Sequence, residues 1–266
     1  MENVLLNYSA LAALVPASLQ AFRRAPSRDA LFWALLALAT AGPAAWALAR
    51  AGTPWPTGFA DTLWLTIAAT MAIYLLAAVF MRHAWRLAPL VTGYMVVLGL
   101  LAIVWAGEPG RHLAAGPGDY AWVRAHIATA MLTYGIVTIA AIAALAAWFQ
   151  DYALKHKQPP SFSRTLPSVR DCERILVRLL VIGESVLALG LATGAALQYS
   201  ETGALLAINH KTVLTIAAFF VMAGLLAAYR LGGVRGKLSA RLVLLGYLLL
   251  TLGYPGVKFV TDVLMR

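Results

Sequence analysis

Apolar residues run along this chain in eight blocks, and polar residues collect between them. A spanning helix needs about 20 mainly apolar residues to cover about 30 Å of hydrocarbon. Blocks at 3–22, 30–49, 60–81, 87–106, 122–148, 175–199, 210–230 and 239–260 meet that requirement. The breaks carry turn chemistry: Arg23-Arg24-Ala25-Pro26, Gly52-Thr53-Pro54, Gly107-Glu108-Pro109-Gly110, Gly116-Pro117-Gly118, Gln158-Pro159-Pro160 and Gly232-Gly233. The pattern predicts an all-α, polytopic integral membrane helix bundle of about eight transmembrane helices, forming one transmembrane domain over 1–266. The fifth block is long enough to tilt or to extend beyond the bilayer. The first begins Met1-Glu2-Asn3, without the basic start of a secretory signal, and reads as a true span.

Composition agrees. Of the 266 residues, 61% are hydrophobic and only 12% are charged, and mean hydropathy is +0.77. Soluble domains are about half apolar and about a quarter charged. The formal charge of +10 does not imply nucleic acid, because the basic residues sit in short clusters between apolar runs, as membrane topology is written. No GxxxxGK[ST] loop, GxGxxG turn, GxSxG elbow or HExxH helix is present.

The clusters assign orientation. Loops holding Arg23, Arg24, Arg28, Arg82, Arg86, the 155–178 group and the 230–241 group carry 15 of the 21 Lys and Arg. The opposite side holds Arg50, Arg111, Arg124, Lys211, Lys258 and Arg266. The basic-rich side is expected to be cytoplasmic, with both termini outside. The largest cytoplasmic loop is expected at 150–174, as an interfacial segment held by anionic lipid or a docking site for a soluble partner. Its end, Asp171-Cys172-Glu173-Arg174, reads as a helix start. Cys172, the single cysteine, reads as inert.

Few polar residues remain that could carry chemistry. His126 lies at the outer entrance of the fifth block, with Thr129 and Thr133 on the same helical face and Tyr134 close by. It is either a hydrated interfacial imidazole or a ligand pointing into the bundle. His210 opens the seventh block at the same predicted depth, after Asn209, a possible N-cap, and before Lys211. Two imidazoles at one depth could ligate one haem iron, or be unrelated. His112 reads as a solvated outer-loop residue, and His83 and His156 as cytoplasmic boundary residues. Arg124 and Lys211 are placed to pair with haem propionates by charge and depth. Glu184 lies about 13 Å into the sixth helix. There it must be neutral, hydrogen-bonded or paired, and it serves either as a helix tie or as a proton or cation site. Gly190-xxx-Gly194, with Gly183 behind it, permits close helix contact. Trp46, Trp55, Trp64, Trp105 and Trp122 on the outer side, with Trp33, Trp85 and Trp148 inside, read as aromatic belts.

The segments His126 to Tyr134, Glu173-Arg174, His210-Lys211-Thr212-Val213-Leu214 and Gly253 to Phe259 together resemble the cytochrome c assembly membrane-protein family. The likeness is nearest its small eight-helix branch, the HemX-like proteins and the inner-membrane YpjD group. It covers about 120–266, while the first four helices agree in number and length. The resemblance implies a bacterial inner-membrane protein that handles haem b at the outer face. His126 matches the position of a ligating histidine. Asn209-His210-Lys211-Thr212 falls where the Trp-rich motif of larger members would end. That motif's tryptophans and acids are missing here, as is a His after the seventh helix. The implied role is therefore accessory haem handling or cytochrome c maturation, with maturation components as partners, and no catalytic residue is assigned. The alternatives are a transporter or transporter accessory centred on Glu184, and a HemX-like regulatory membrane protein without bound ligand.

Overall fold

The computed structural model describes residues 2–22, 27–50, 58–106, 120–155, 163, 165–204, 209–234 and 236–264. Its helices are α1 (Glu2–Ser18), α2 (Ala30–Ala49), α3 (Phe59–Phe80), α4 (Ala88–Val104), α5 (Tyr120–Lys155), α6 (Val169–Thr202), α7 (His210–Gly232) and α8 (Lys237–Thr251). No strand occurs among the described residues. Seven of these helices are long and apolar enough to cross a bilayer, α4 with the turn before it and α8 with its helical continuation to Phe259; α1 is a shorter apolar helix extended by a 3₁₀ turn at Leu19–Phe22. Large apolar side chains face outward, with Leu231 89%, Phe80 78% and Leu48 76% exposed, as lipid-facing residues do. The chain is a multi-span membrane protein.

The helices close into two four-membered rings. In the first, α1 packs on α2 and α4, and α3 completes the circuit by touching both; in the second, α5 contacts α6 and α8, and α7 closes it. The rings meet mainly along α3 and α5. Gly135 permits that approach: a Cβ there would lie 2.6 Å from Ile73 Cδ1 and 3.3 Å from the Thr70 Cα. Further along the seam, the Tyr94 and Tyr247 hydroxyls lie 2.6 Å apart, joining α4 to α8. Phe259 packs edge-on against Phe59 and Trp105, with ring centroids 5.3 and 5.4 Å away.

The tryptophans depart from the belt expectation. Trp46 and Trp64 are buried, 4% and 0% exposed, and stack at 5.8 Å inside the first ring. Trp46 Nε1 donates to Asn7 Oδ1 at 2.6 Å. A polar partner on α1 satisfies the indole, so this ring does not need the water interface. Trp148 is 41% exposed and fits the belt reading. Trp55 and the side chain of Trp122 lie outside the described residues.

The 150–174 loop is shorter than expected, because helices invade it from both ends. α5 continues to Lys155, where the Lys155 ammonium donates to Asp151 at 2.6 Å across one turn. α6 starts at Val169, where the Ser168 hydroxyl oxygen accepts from the Asp171 amide. Gln150 Nε2 donates to the Ser163 and Pro167 carbonyls, folding the loop end back on α5. Cys172 is buried and free, and its thiol contacts the Pro167 carbonyl at 3.6 Å.

The helical path of α8 widens beyond Thr251. A π-helical stretch covers Leu252–Gly256, and a short α-turn, Val257–Phe259, leads to a second at Val260–Leu264. Pro255 lacks the amide a normal helical turn would use.

Candidate functional site

Local chemistry sets the ends of the helices that build the site. Asn209 caps α7, its Oδ1 accepting from the Thr212 amide at 3.0 Å, as the sequence suggested. Gly253, in the widened end of α8, lies close to α7: a Cβ there would stand 3.3 Å from Leu214 Cβ and 3.7 Å from the Lys211 carbonyl.

Between α5, α6, α7 and the end of α8 lies a cavity of about 310 Å³. Ligand pockets run from roughly 300 to 1,000 Å³ and are mostly apolar with a few polar groups. This one is at the lower end and has that character. α5 contributes His126, Ala130, Thr133 and Tyr134. α6 contributes Leu187, Gly190, Leu191, Gly194 and Gln198. Lys211, Thr212 and Thr215 come from α7, and Leu250, Gly253 and Tyr254 from the α8 region.

His126 is held by α6. Its Nδ1 lies 3.2 Å from the Gly190 carbonyl oxygen. A carbonyl only accepts, so Nδ1 is the nitrogen that donates, and in the neutral imidazole the lone pair is then on Nε2. A backbone carbonyl holding one imidazole nitrogen so that the other can ligate is the usual arrangement of a metal-binding histidine. Thr129 and Thr193 pack beside it, their hydroxyls 3.4 Å apart. Gly194 supplies the space: a Cβ there would lie 2.9 Å from His126 Cε1. The Gly190/Gly194 spacing, read as helix packing, is the seat of this imidazole.

The other sequence-selected residues separate. Lys211 lines the cavity. His210 is exposed on the first turn of α7 and does not line it, although Asn209 and Lys211 on either side do. The side chain of Arg124, and His112 and His156 entirely, lie outside the described residues. His83 Nδ1 pairs with Asp171 at 3.1 Å, tying the turn before α4 to α6. Among the described residues no group of three or more His, Cys, Asp or Glu could hold a metal ion.

Glu184 lies on α6 one turn before Leu187 of the cavity wall. The neighbouring Gly183 packs against Ile136 and Val137, which are about 15 Å along α5 from His126. Both Glu184 carboxyl oxygens are buried and make no hydrogen bond among the described residues, and neither does the Thr133 hydroxyl. The sequence places Tyr134 near the His126 face but carries no sign of its partners Tyr247 and Thr251. Tyr134 OH lies 3.1 Å from Tyr247 OH and 3.2 Å from Thr251 Oγ1. No spacing in the sequence signals that contact, since its members come from different helices.

A multi-span α-helical membrane protein with a histidine-bearing cavity in its second ring is the class that fold and site define. The chain belongs to the cytochrome c assembly protein family, whose family model matches residues 30–265. The match reaches through α2, α3 and α4, further than the half that bears the motifs. The chain is 47% identical over 270 residues to "Uncharacterized 28.8 kDa protein in nifR3-like 5'region" of Azospirillum brasilense, covering 99% of each chain. It is 31% identical over 183 residues to inner membrane protein YpjD of Escherichia coli K12, covering 69% of this chain and 67% of that protein. No solved structure matches.

Proposed function

We propose that this protein binds haem b in the α5–α8 cavity and serves haem handling or cytochrome c maturation as an accessory protein, at the outer face of a bacterial inner membrane. The observation that carries the reading is His126, whose Nδ1 is engaged by Gly190 while Nε2 is left to ligate. Membership of the cytochrome c assembly family and the name of the inner-membrane relative support it. The residues present fit the group: an apolar wall, one imidazole of the right tautomer, and a lysine on α7. Haem supplies an iron centre when bound, and axial imidazole is one of its usual ligands. His126 would hold the iron. Lys211 would pair with a propionate, and Arg124 is its counterpart at the start of α5 by charge and depth. His210, exposed and one residue outside the cavity wall, is the remaining sequence candidate for a second ligand. The cytoplasmic placement of the α5–α6 loop, and maturation components as partners, belong to the same reading.

The test is an absorption spectrum of protein purified from haem-replete cells. A Soret band that His126→Ala abolishes supports the proposal; a wild-type protein without one sinks it.

A second reading, a proton or cation site of transport type at Glu184, draws on the buried carboxyl that has no hydrogen-bond partner among the described residues. Transport that stops in Glu184→Gln, with expression unchanged, would favour it.

A further inference from the structure

At the far end of α5 from His126 lies a second cavity, of about 170 Å³, between α5, α6 and the start of α8. Its apolar part is made by Ala144, Ala147, Leu176 and Ala240, and its mouth carries Asp151, Lys155, Glu173 and Lys237. We infer that this cavity binds one aminophospholipid of the bilayer, a lipid whose head carries both a phosphate and a primary ammonium.

Depth fits a lipid. Asp151 lies about 37 Å along α5 from His126, and Ala144 about 27 Å, at about 1.5 Å per residue. A bilayer is about 30 Å thick in its hydrocarbon and about 40–45 Å with headgroups. With His126 at one face, the apolar part of the cavity falls at the edge of the opposite hydrocarbon layer and the charged mouth falls among the headgroups. Trp148 also lines the cavity and stacks on Tyr152 at 6.0 Å, as interfacial aromatics do.

Charge selects the head. Two carboxylates and two ammonium groups share the mouth, so neither an anionic head nor a lone cation matches it. Asp151 and Lys155 are paired with each other at 2.6 Å. Glu173 Oε1 accepts from the Gly236 amide at 3.2 Å, which holds the carboxylate between α6 and α8. Lys237 opens α8, whose N-terminus has no side-chain cap. The first-turn amides of α8 beyond Gly236, together with Lys237, suit a phosphate, and the Glu173 and Asp151 carboxylates lining the same cavity suit a primary ammonium. A choline head has no N–H to donate, and a glycerol head has no cation.

The test uses the full-length protein, delipidated in detergent and resupplied with phosphatidylethanolamine, phosphatidylglycerol or phosphatidylcholine. Native mass spectrometry counts retained lipid, and the unfolding temperature is read for each. Phosphatidylethanolamine should be retained as one molecule and should raise the unfolding temperature above the other two lipids. Glu173→Gln and Lys237→Gln should each lose that preference. Equal shifts from all three lipids in the wild type, or a preference that survives both substitutions, overturns the assignment. The wild-type comparison decides alone if a variant cannot be purified.

Discussion

The His126 imidazole occupies the space that a side chain would fill at Gly194. A Cβ on residue 194 would meet Cε1 at 2.9 Å and Nδ1 at 3.2 Å. The same histidine reaches the Gly190 carbonyl one turn away on α6, so two glycines, one by its space and one by its carbonyl, orient one ring.

Gly194→Ala should therefore push the imidazole off its seat. Gly190→Ala should be milder, because its Cβ would meet only Thr129, at 3.6 Å or more. Bound haem per protein, read as the ratio of Soret to protein absorbance, should fall sharply for the first and little for the second. Equal haem content in the two variants would break the link between the glycine and the ligand.

The histidines should respond unequally. His126→Ala should remove most bound haem. His210→Ala should move the spectrum towards five-coordinate iron if it supplies the second axial ligand. His83→Ala should leave the spectrum alone, since His83 is engaged with Asp171. Reduced-minus-oxidised spectra across these variants decide the assignment, and full haem content in His126→Ala contradicts it.

Glu184→Gln should insert and fold normally, because the amide replaces a carboxyl with no hydrogen-bond partner among the described residues. Glu184→Lys should insert poorly, since a lysine at mid-helix costs roughly 2.5–3.5 kcal/mol on insertion scales. Membrane-fraction yield measures both. Normal yield from Glu184→Lys would mean that the site is wetter than its buried oxygens indicate.

Gly135→Val should loosen the seam between the rings. The new side chain would run into Ile73 and the α3 backbone at Thr70, and overpacking of this kind costs roughly 1–3 kcal/mol. A lower unfolding temperature in detergent is expected, against an unchanged value for a matched substitution at Gly224, where a Cβ meets nothing within 4 Å.

Reporter fusions after residues 26, 84, 160 and 235 should signal cytoplasm, and fusions after 54, 112, 203 and 266 the outside. The basis is the 15-to-6 division of Lys and Arg. An outside signal at 160 reverses the orientation, because that loop belongs to the largest basic cluster.

The number and approximate limits of the spans were legible in the chain's own pattern, because crossing a bilayer requires length and apolarity, and both are local properties. The cap at Asn209 was legible for the same reason, since a cap needs only its own next turn; the start of α6 was read at Asp171, two residues inside the helix that Ser168 caps. His126 and Glu184 also stood out, because a polar residue inside an apolar block is costly wherever the block packs. Packing between helices set the rest. Trp46 lies inside the first ring because Asn7, 39 residues before it, meets its indole, and Trp64 is buried by stacking on Trp46. His126 faces the Gly190 carbonyl from 64 residues away, and His210 is left outside the cavity that its neighbours line. Which helix faces which is a property of packed pairs, and the period of a single helix carries no record of its partner.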